Sequence, residues 1–141
     1  MNDGHPVMVD TSAWFAAASV GDHNNGRAKQ LLRENPRRIT TDHVLVETWR
    51  LIAHRIGWRQ AETWLRTVRG GVAKVEIVDD IDIERAVAIG EAFADQRLSI
   101  VDRTTFAVME RLRYDRAVSF DDDFLVYRYG PGRSKAFQVL R

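Results

Sequence analysis

Two acidic residues follow short apolar stretches that predict buried β-strands. Asp10 comes directly after Val7-Met8-Val9, and Asp121 comes directly after Ala117-Val118-Ser119-Phe120. Open α/β sheets bind their ligands beyond the carboxyl ends of the strands, and a buried carboxylate costs free energy unless something binds it. Asp10 and Asp121 are therefore candidate site residues.

Two further acids lie on predicted helices. Glu47 falls at the edge of the apolar stripe of a helix that begins at Thr41 or Asp42 and ends near Ile56. Asp102 lies within the apolar face of a helix from Ile100 to Leu112. Each has an ordinary alternative: Glu47 as a boundary residue, and Asp102 as part of a capping box with Ser99.

These four carboxylates can do phosphoryl chemistry if they converge. Two unit charges about 4 Å apart repel by roughly 4 kcal/mol at an effective dielectric near 20, and a cation reverses that sign. Oxygen ligands favour Mg²⁺ or Mn²⁺, which suit phosphodiester hydrolysis. We expect Asp10 and Asp102 to be direct ligands, with Glu47 and Asp121 holding waters of the ion or a second ion.

Neighbouring polar residues are assigned supporting or structural roles. Thr11 and Ser12 lack a paired base, so we expect hydroxyls that support Asp10 and contact the substrate. His43 lies one helical turn before Glu47, but HExxH is absent. The acids from Asp79 to Asp82 precede an amphipathic run and are predicted to cap a helix rather than bind a metal.

The remaining patterns alternate between strands and helices, which predicts a mainly parallel sheet covered on both faces. Further strands are expected at Arg38–Thr40, Val75–Val78 and Ala136–Leu140, and further helices at Ala13–Ala18, Arg27–Glu34, Trp58–Val68 and after Asp82. No repeat or linker divides residues 1–141, so we expect one domain.

Composition narrows the class of protein. The chain has no cysteine, a net charge of +1, and 18 arginines among its 21 basic residues. Disulfides, thiol nucleophiles and cysteine-based zinc sites are thereby excluded. The longest mostly apolar run, Ala13 to Ala18, is too short to cross a bilayer, and we expect a cytoplasmic protein with no membrane partner. Phosphate-loop, dinucleotide-binding and hydrolase-elbow motifs are absent.

Four segments together resemble the PIN-domain ribonucleases, and among them the VapC toxins of toxin-antitoxin pairs. They are Val9-Asp10-Thr11-Ser12, the stretch from Asp42 to Thr48 around Glu47, Ser99 to Met109 around Asp102, and Ser119 to Phe124 around Asp121. The resemblance spans nearly the whole chain.

This resemblance implies a three-layer α/β/α fold with a parallel five-stranded sheet in the order 3-2-1-4-5. It also implies an Mg²⁺-dependent endoribonuclease that cleaves structured RNA such as tRNA or rRNA. Asp10, Glu47, Asp102 and Asp121 match the family's acidic quartet, and Asp123 is a substitute or fifth member. The family further implies a homodimer and a cognate VapB antitoxin.

RNA contacts are expected at Arg103, beside Asp102, and in the aromatic-basic loop from Tyr127 to Arg133, where arginine would follow phosphates and tyrosine would stack on a base. The alternative for the loop is a solvated, dimer or antitoxin surface. Two other functions compete with the nuclease. A receiver-type phosphoacceptor domain lacks its acidic pair and lysine here, and an inactive PIN-like binding module would not need the intact quartet.

Overall fold

The computed structural model describes residues 4–141 and contains one sheet of five strands. The strands are β1 (Val7–Val9), β2 (Arg38–Thr41), β3 (Lys74–Glu76), β4 (Arg116–Val118) and β5 (Gln138–Leu140). Every pairing is parallel and the order is β3-β2-β1-β4-β5. The predicted topology is confirmed, and the central strands β1 and β4 are neighbours.

Helices connect the strands and cover both faces of the sheet. They are α1 (Thr11–Ala18), α2 (Asn25–Glu34), α3 (Asp42–Arg55), α4 (Trp58–Thr67), α5 (Asp80–Ala92), α6 (Ile100–Leu112) and the single turn α7 (Asp123–Val126). A π-helical turn at Val68–Val72 ends α4, and Gly71 takes a φ of +116° there, a left-handed conformation that favours glycine. No helix among residues 4–141 is long and apolar enough to cross a bilayer.

Side-chain caps fix where several helices begin. The Thr41 hydroxyl accepts a hydrogen bond from the Val44 amide at the start of α3. Asp79 and Asp82 form a reciprocal capping box at the start of α5, which confirms the structural interpretation of that acidic cluster. The Ser99 hydroxyl accepts from the Asp102 amide, so α6 begins just before this acid.

Alternation along β1 separates two apolar cores. Met8 packs with Phe106 and Met109 of α6 on one face, whereas Val7 and Val9 pack on the other face with residues of α1, α2 and α3. All three β1 side chains are fully buried. The two cores make the three-layer arrangement and hold the carboxyl ends of β1 and β4 in place.

Three predicted strands are too long: β3 ends at Glu76 and not at Val78, β5 begins at Gln138 and not at Ala136, and β4, whose end bears on the site, is also shorter than predicted. We expected β4 to reach Phe120 and Asp121 to be the first residue after it, but β4 ends at Val118. Its register pairs Val9 with Val118, so Ser119, not Asp121, is the residue that corresponds to Asp10.

Candidate active site

Three of the four predicted acids meet at the carboxyl edge of the sheet. Asp10, Asp102 and Asp121 each offer a carboxylate oxygen, and these atoms lie within 4.8 Å of one another. Asp10 follows β1 as the N-cap of α1, Asp102 lies in the first turn of α6, and Asp121 lies in the loop after β4. Asp10 and Asp102 are only 2% and 4% exposed, while Asp121 is half-buried. The cluster therefore opens to solvent at Asp121.

The two oxygens of Asp10 have different environments. Oδ2 accepts hydrogen bonds from the Ser12 amide at 3.3 Å, the Ser12 hydroxyl at 2.8 Å and the Ser119 hydroxyl at 3.0 Å. Oδ1 is buried and has no hydrogen-bond partner among residues 4–141. An unsatisfied buried oxygen is costly unless a ligand binds it, so Oδ1 points to a missing partner.

Two serines join Asp10 to the loop that carries Asp121. Ser12 Oγ accepts from the Phe120 amide at 2.9 Å, and Ser119 Oγ accepts from the Asp121 amide at 3.0 Å. Each hydroxyl thus donates to Asp10 Oδ2 and accepts from the loop. Ser12 makes the expected hydrogen bonds to Asp10, whereas the same expectation for Thr11 is wrong, because its hydroxyl makes no hydrogen bond within residues 4–141. Ser119 was not predicted as a site residue. The feature that could have indicated Ser119 is its position directly after the buried residues of β4.

Mutual repulsion and burial raise the pKa values of the two buried acids. Burial raises the pKa of Asp10 to about 6, helped by the charge of Asp121 and opposed by hydrogen bonds from Ser12 and Ser119. Burial and the charges of Asp10 and Asp121 raise the pKa of Asp102 to about 10, and Asp123 adds to this shift. Without a cation, Asp102 therefore holds a proton at neutral pH.

The cluster fits a hard divalent cation. Within residues 4–141 no basic side chain forms a salt bridge with Asp10, Asp102 or Asp121. The donors are all carboxylate oxygens, one of them orphaned, which is the chemistry that Mg²⁺ or Mn²⁺ prefers. A cation would relieve the repulsion and ionise Asp102.

Glu47 and Asp123 lie outside this group of three. Glu47 is half-buried on α3 and lines an adjacent cavity together with Thr11 and His43. Asp123 begins α7, and its amide donates to Asp121 Oδ1 at 2.9 Å. Asp121 is thus the loop acid in the group of three, whereas the Asp123 amide orients Asp121 and the Asp123 carboxylate contacts Asp102.

The predicted RNA contacts have mixed outcomes. Arg103 packs between α5 and α6, where its guanidinium donates to the carbonyls of Leu98 and Ala86, so its contact with RNA remains a prediction. Tyr127 is fully buried and stacks on Phe106 with 4.4 Å between ring centroids, which rules it out as a stacking partner for a base.

Comparisons with known proteins agree with this geometry. The model of the PIN domain family matches residues 7–128. The 23S rRNA-specific endonuclease VapC20 of Mycobacterium tuberculosis is 38% identical over 120 residues, which cover 84% of this chain and 91% of the relative. Ribonuclease VapC26 of the same species is 23% identical over 82% of this chain and 86% of its own.

Solved structures give the same picture. The crystal structure of M. tuberculosis VapC20, described as a sarcin-ricin loop cleaving toxin, superposes with a TM-score of 0.81 at 36% identity, covering 85% of this chain and 93% of that one. A toxin-antitoxin complex from Klebsiella pneumoniae superposes with a TM-score of 0.62 at 15% identity over 82% and 87% of the two chains, which is a likeness of fold.

Proposed function

The chain belongs to the PIN-domain family and to its VapC toxins, and on that premise we propose that it is a metal-dependent endoribonuclease. One observation carries the proposal: three carboxylates from separate elements converge within 4.8 Å without a cationic partner among the described residues. This arrangement is unfavourable by itself and useful only with a cation.

Asp10, Asp102 and Asp121 are the residues that would hold Mg²⁺ or Mn²⁺. The bound ion would lower the pKa of an attacking water and neutralise charge on the phosphate. Asp10 would contribute Oδ1, because three donors occupy its Oδ2. Ser12 and Ser119 would act as positioning residues that keep this carboxylate in register with the Asp121 loop.

The remaining acids are assigned to the open side of the cluster. Asp121 is its most accessible member, so we place the scissile phosphate and the incoming water there. Glu47 approaches from α3, across the cavity that contains Thr11, and would act on the same side through water or a second ion. Asp123 would hold Asp121 in place through its backbone amide.

The substrate and the partner are assigned from the relatives. VapC20 is named for cleavage of 23S rRNA, and its identity to this chain over 84% of the length favours rRNA over tRNA. We therefore propose the sarcin-ricin loop of 23S rRNA as the target. A VapB-type antitoxin would neutralise the enzyme, and a homodimer would be the working form.

Cleavage of ribosomal RNA tests this function. Antitoxin-free protein would be incubated with ribosomes and Mg²⁺, and the fragment ends would be mapped for the wild type, Asp102→Asn and the control Asp95→Asn. Asp95 is exposed and lies outside the cluster, so this control removes an acid without touching the site. We expect a discrete cut in 23S rRNA by the wild type and the control, abolished by EDTA and by Asp102→Asn. Intact RNA with the wild type, or equal cleavage by Asp102→Asn, would refute the proposal.

A further inference from the structure

A cavity of about 1030 Å³ adjoins the acidic cluster. Its lining includes Thr11 and Val101, the chain neighbours of Asp10 and Asp102, together with Glu47 of α3. A ligand in this cavity therefore lies next to the proposed site of cleavage. The volume is in the range of small-molecule sites in proteins.

A buried polar group beside the cavity lacks a partner. Thr11 is only 7% exposed, and its Oγ1 makes no hydrogen bond within residues 4–141. A buried hydroxyl is normally satisfied, because leaving it unpaired costs free energy. This oxygen does not cap α1, since Asp10 performs that role. It also takes no part in the hydrogen bonds of Asp10.

His43 presents a second free polar atom. The hydroxyl proton of Thr104 is committed to the carbonyl of Val101 at 3.1 Å, and His43 Nδ1 lies 3.1 Å from the same Thr104 oxygen. Taking Thr104 Oγ1 as the acceptor assigns the ring proton to Nδ1. His43 Nε2 is left as an acceptor in a side chain that lines the cavity.

The rest of the lining is suited to a flat, partly apolar ligand. Val46, Leu51 and the half-buried ring of Trp49 contribute apolar surface, and Arg50 is exposed at the mouth. The Glu47 carboxylate in the lining would accept from an amino group. The lining thus combines acceptors with the Arg50 guanidinium, which can meet a phosphate.

We propose that this cavity binds one unstacked base of the RNA beside the scissile phosphate and selects a base with an exocyclic amino group. The amine would donate to His43 Nε2 or Glu47, and Arg50 would meet the attached phosphate. This inference rests on the proposed function, since it names a determinant of its specificity. Single-stranded RNA is commonly read by splayed bases in such pockets.

Two matched nucleoside pairs test the selection without any cleavage. Adenosine and inosine, like cytidine and uridine, differ in whether an amino group or a carbonyl occupies one position. Each would be titrated into ¹⁵N-labelled protein in EDTA, with the Trp49 indole and the Thr11 amide as NMR reporters. We expect both reporters to shift more strongly, and with about 3- to 10-fold tighter binding, for adenosine and cytidine.

Variants separate the proposed contacts from a structural role. His43→Asn keeps an amide near Nδ1 and loses the group at Nε2, so it should abolish the preference for amino bases. His43→Gln places its amide near Nε2 and should retain part of the preference. Thr11→Val should leave nucleoside binding and the unfolding temperature unchanged, because the hydroxyl that it removes is unpaired and closed to solvent. Controls are His23→Asn and Thr67→Val, at exposed positions outside the cavity.

Equal binding of amino and carbonyl partners by wild type and His43→Asn would overturn the proposal. So would reporter shifts that depend on protein concentration and not on nucleoside, which would make the cavity an interface between copies of this chain. Because the titration contains no metal, its outcome is independent of ribosomal RNA cleavage. Selective nucleoside binding would support the base site even if ribosomal RNA were not cleaved. Cleavage without selective binding would refute the base site and leave the proposed function standing.

Discussion

Replacing Asp102 by asparagine should stabilise the metal-free protein, even though Asp102 belongs to the proposed active centre. Asp102 is 4% exposed, and burial together with the charges of Asp10 and Asp121 raises its pKa to about 10. In the unfolded chain the same carboxyl group has a pKa of about 3.8. At a pH between these two pKa values, Asp102 holds a proton in the folded protein and releases it in the unfolded chain.

The sign and size of the effect follow from proton linkage. Because the folded state binds more protons, the free energy of unfolding falls as pH rises, by about 1.4 kcal/mol per pH unit for one group. Asp102 alone should thus cost about 3 kcal/mol between pH 5 and pH 7, and about 4 kcal/mol in total at pH 7. The pKa of Asp10 is raised to about 6, so Asp10 adds to the fall in the free energy of unfolding at pH values below 6. Asparagine has the shape of the protonated acid and avoids the cost.

Urea unfolding in EDTA from pH 5 to pH 8, followed by tryptophan fluorescence, measures this difference. We expect Asp102→Asn to be more stable than the wild type by about 4 kcal/mol at pH 7 and to lose most of the pH dependence above pH 6. The control Asp95→Asn, at an exposed position, should follow the wild type. The description of the cluster as unpaired and mutually repulsive would be refuted if Asp102→Asn and the wild type were equally stable at pH 7. It would also be refuted if their free energies of unfolding changed equally with pH.

Two further predictions concern the residues around Asp10. Ser119→Ala removes a donor to Asp10 Oδ2 and the acceptor of the Asp121 amide, so the affinity for Mn²⁺, measured by EPR, should fall about 10- to 100-fold. The control Ser134→Ala, at an exposed position, should leave the affinity unchanged. Equal affinities in the two variants would contradict the positioning role of Ser119. Asp121→Asn should weaken Mn²⁺ binding in the same assay by more than Asp123→Asn does, because only Asp121 belongs to the group of three. A larger loss of affinity in Asp123→Asn would make Asp123 the ligand.

The parallel sheet was predictable from local patterns, whereas its strand order and the meeting of the acids were expected from the family resemblance. Buried strands that alternate with helices imply parallel pairing, and parallel strands bring their carboxyl ends to one edge. Asp10 after β1 was a candidate from the strand pattern alone, whereas Asp102 became one together with the other acids and the resemblance. The capping role of Asp79 and Asp82 also followed from the local pattern.

Features set by register and tertiary packing were not predictable. Ser119 and Phe120 looked like a continuation of β4, and only the pairing of Val9 with Val118 shows that Ser119 lies beside Asp10. Tyr127 lies in a basic loop by sequence, yet its ring completes the core against Phe106. Glu47 lies on the expected helix, but how far its carboxylate reaches depends on the packing of α3, which periodicity does not reveal.

The most direct test of the central claim is the location of a bound ion. Crystals grown with Mn²⁺ would be measured at a wavelength where manganese scatters anomalously. We expect a peak among the three carboxylates, about 2 Å from Asp10 Oδ1 and in contact with Asp102 and Asp121. No peak there at millimolar Mn²⁺, or a peak that contacts Asp10 only through Oδ2, would contradict the assignment of this cluster as the metal centre.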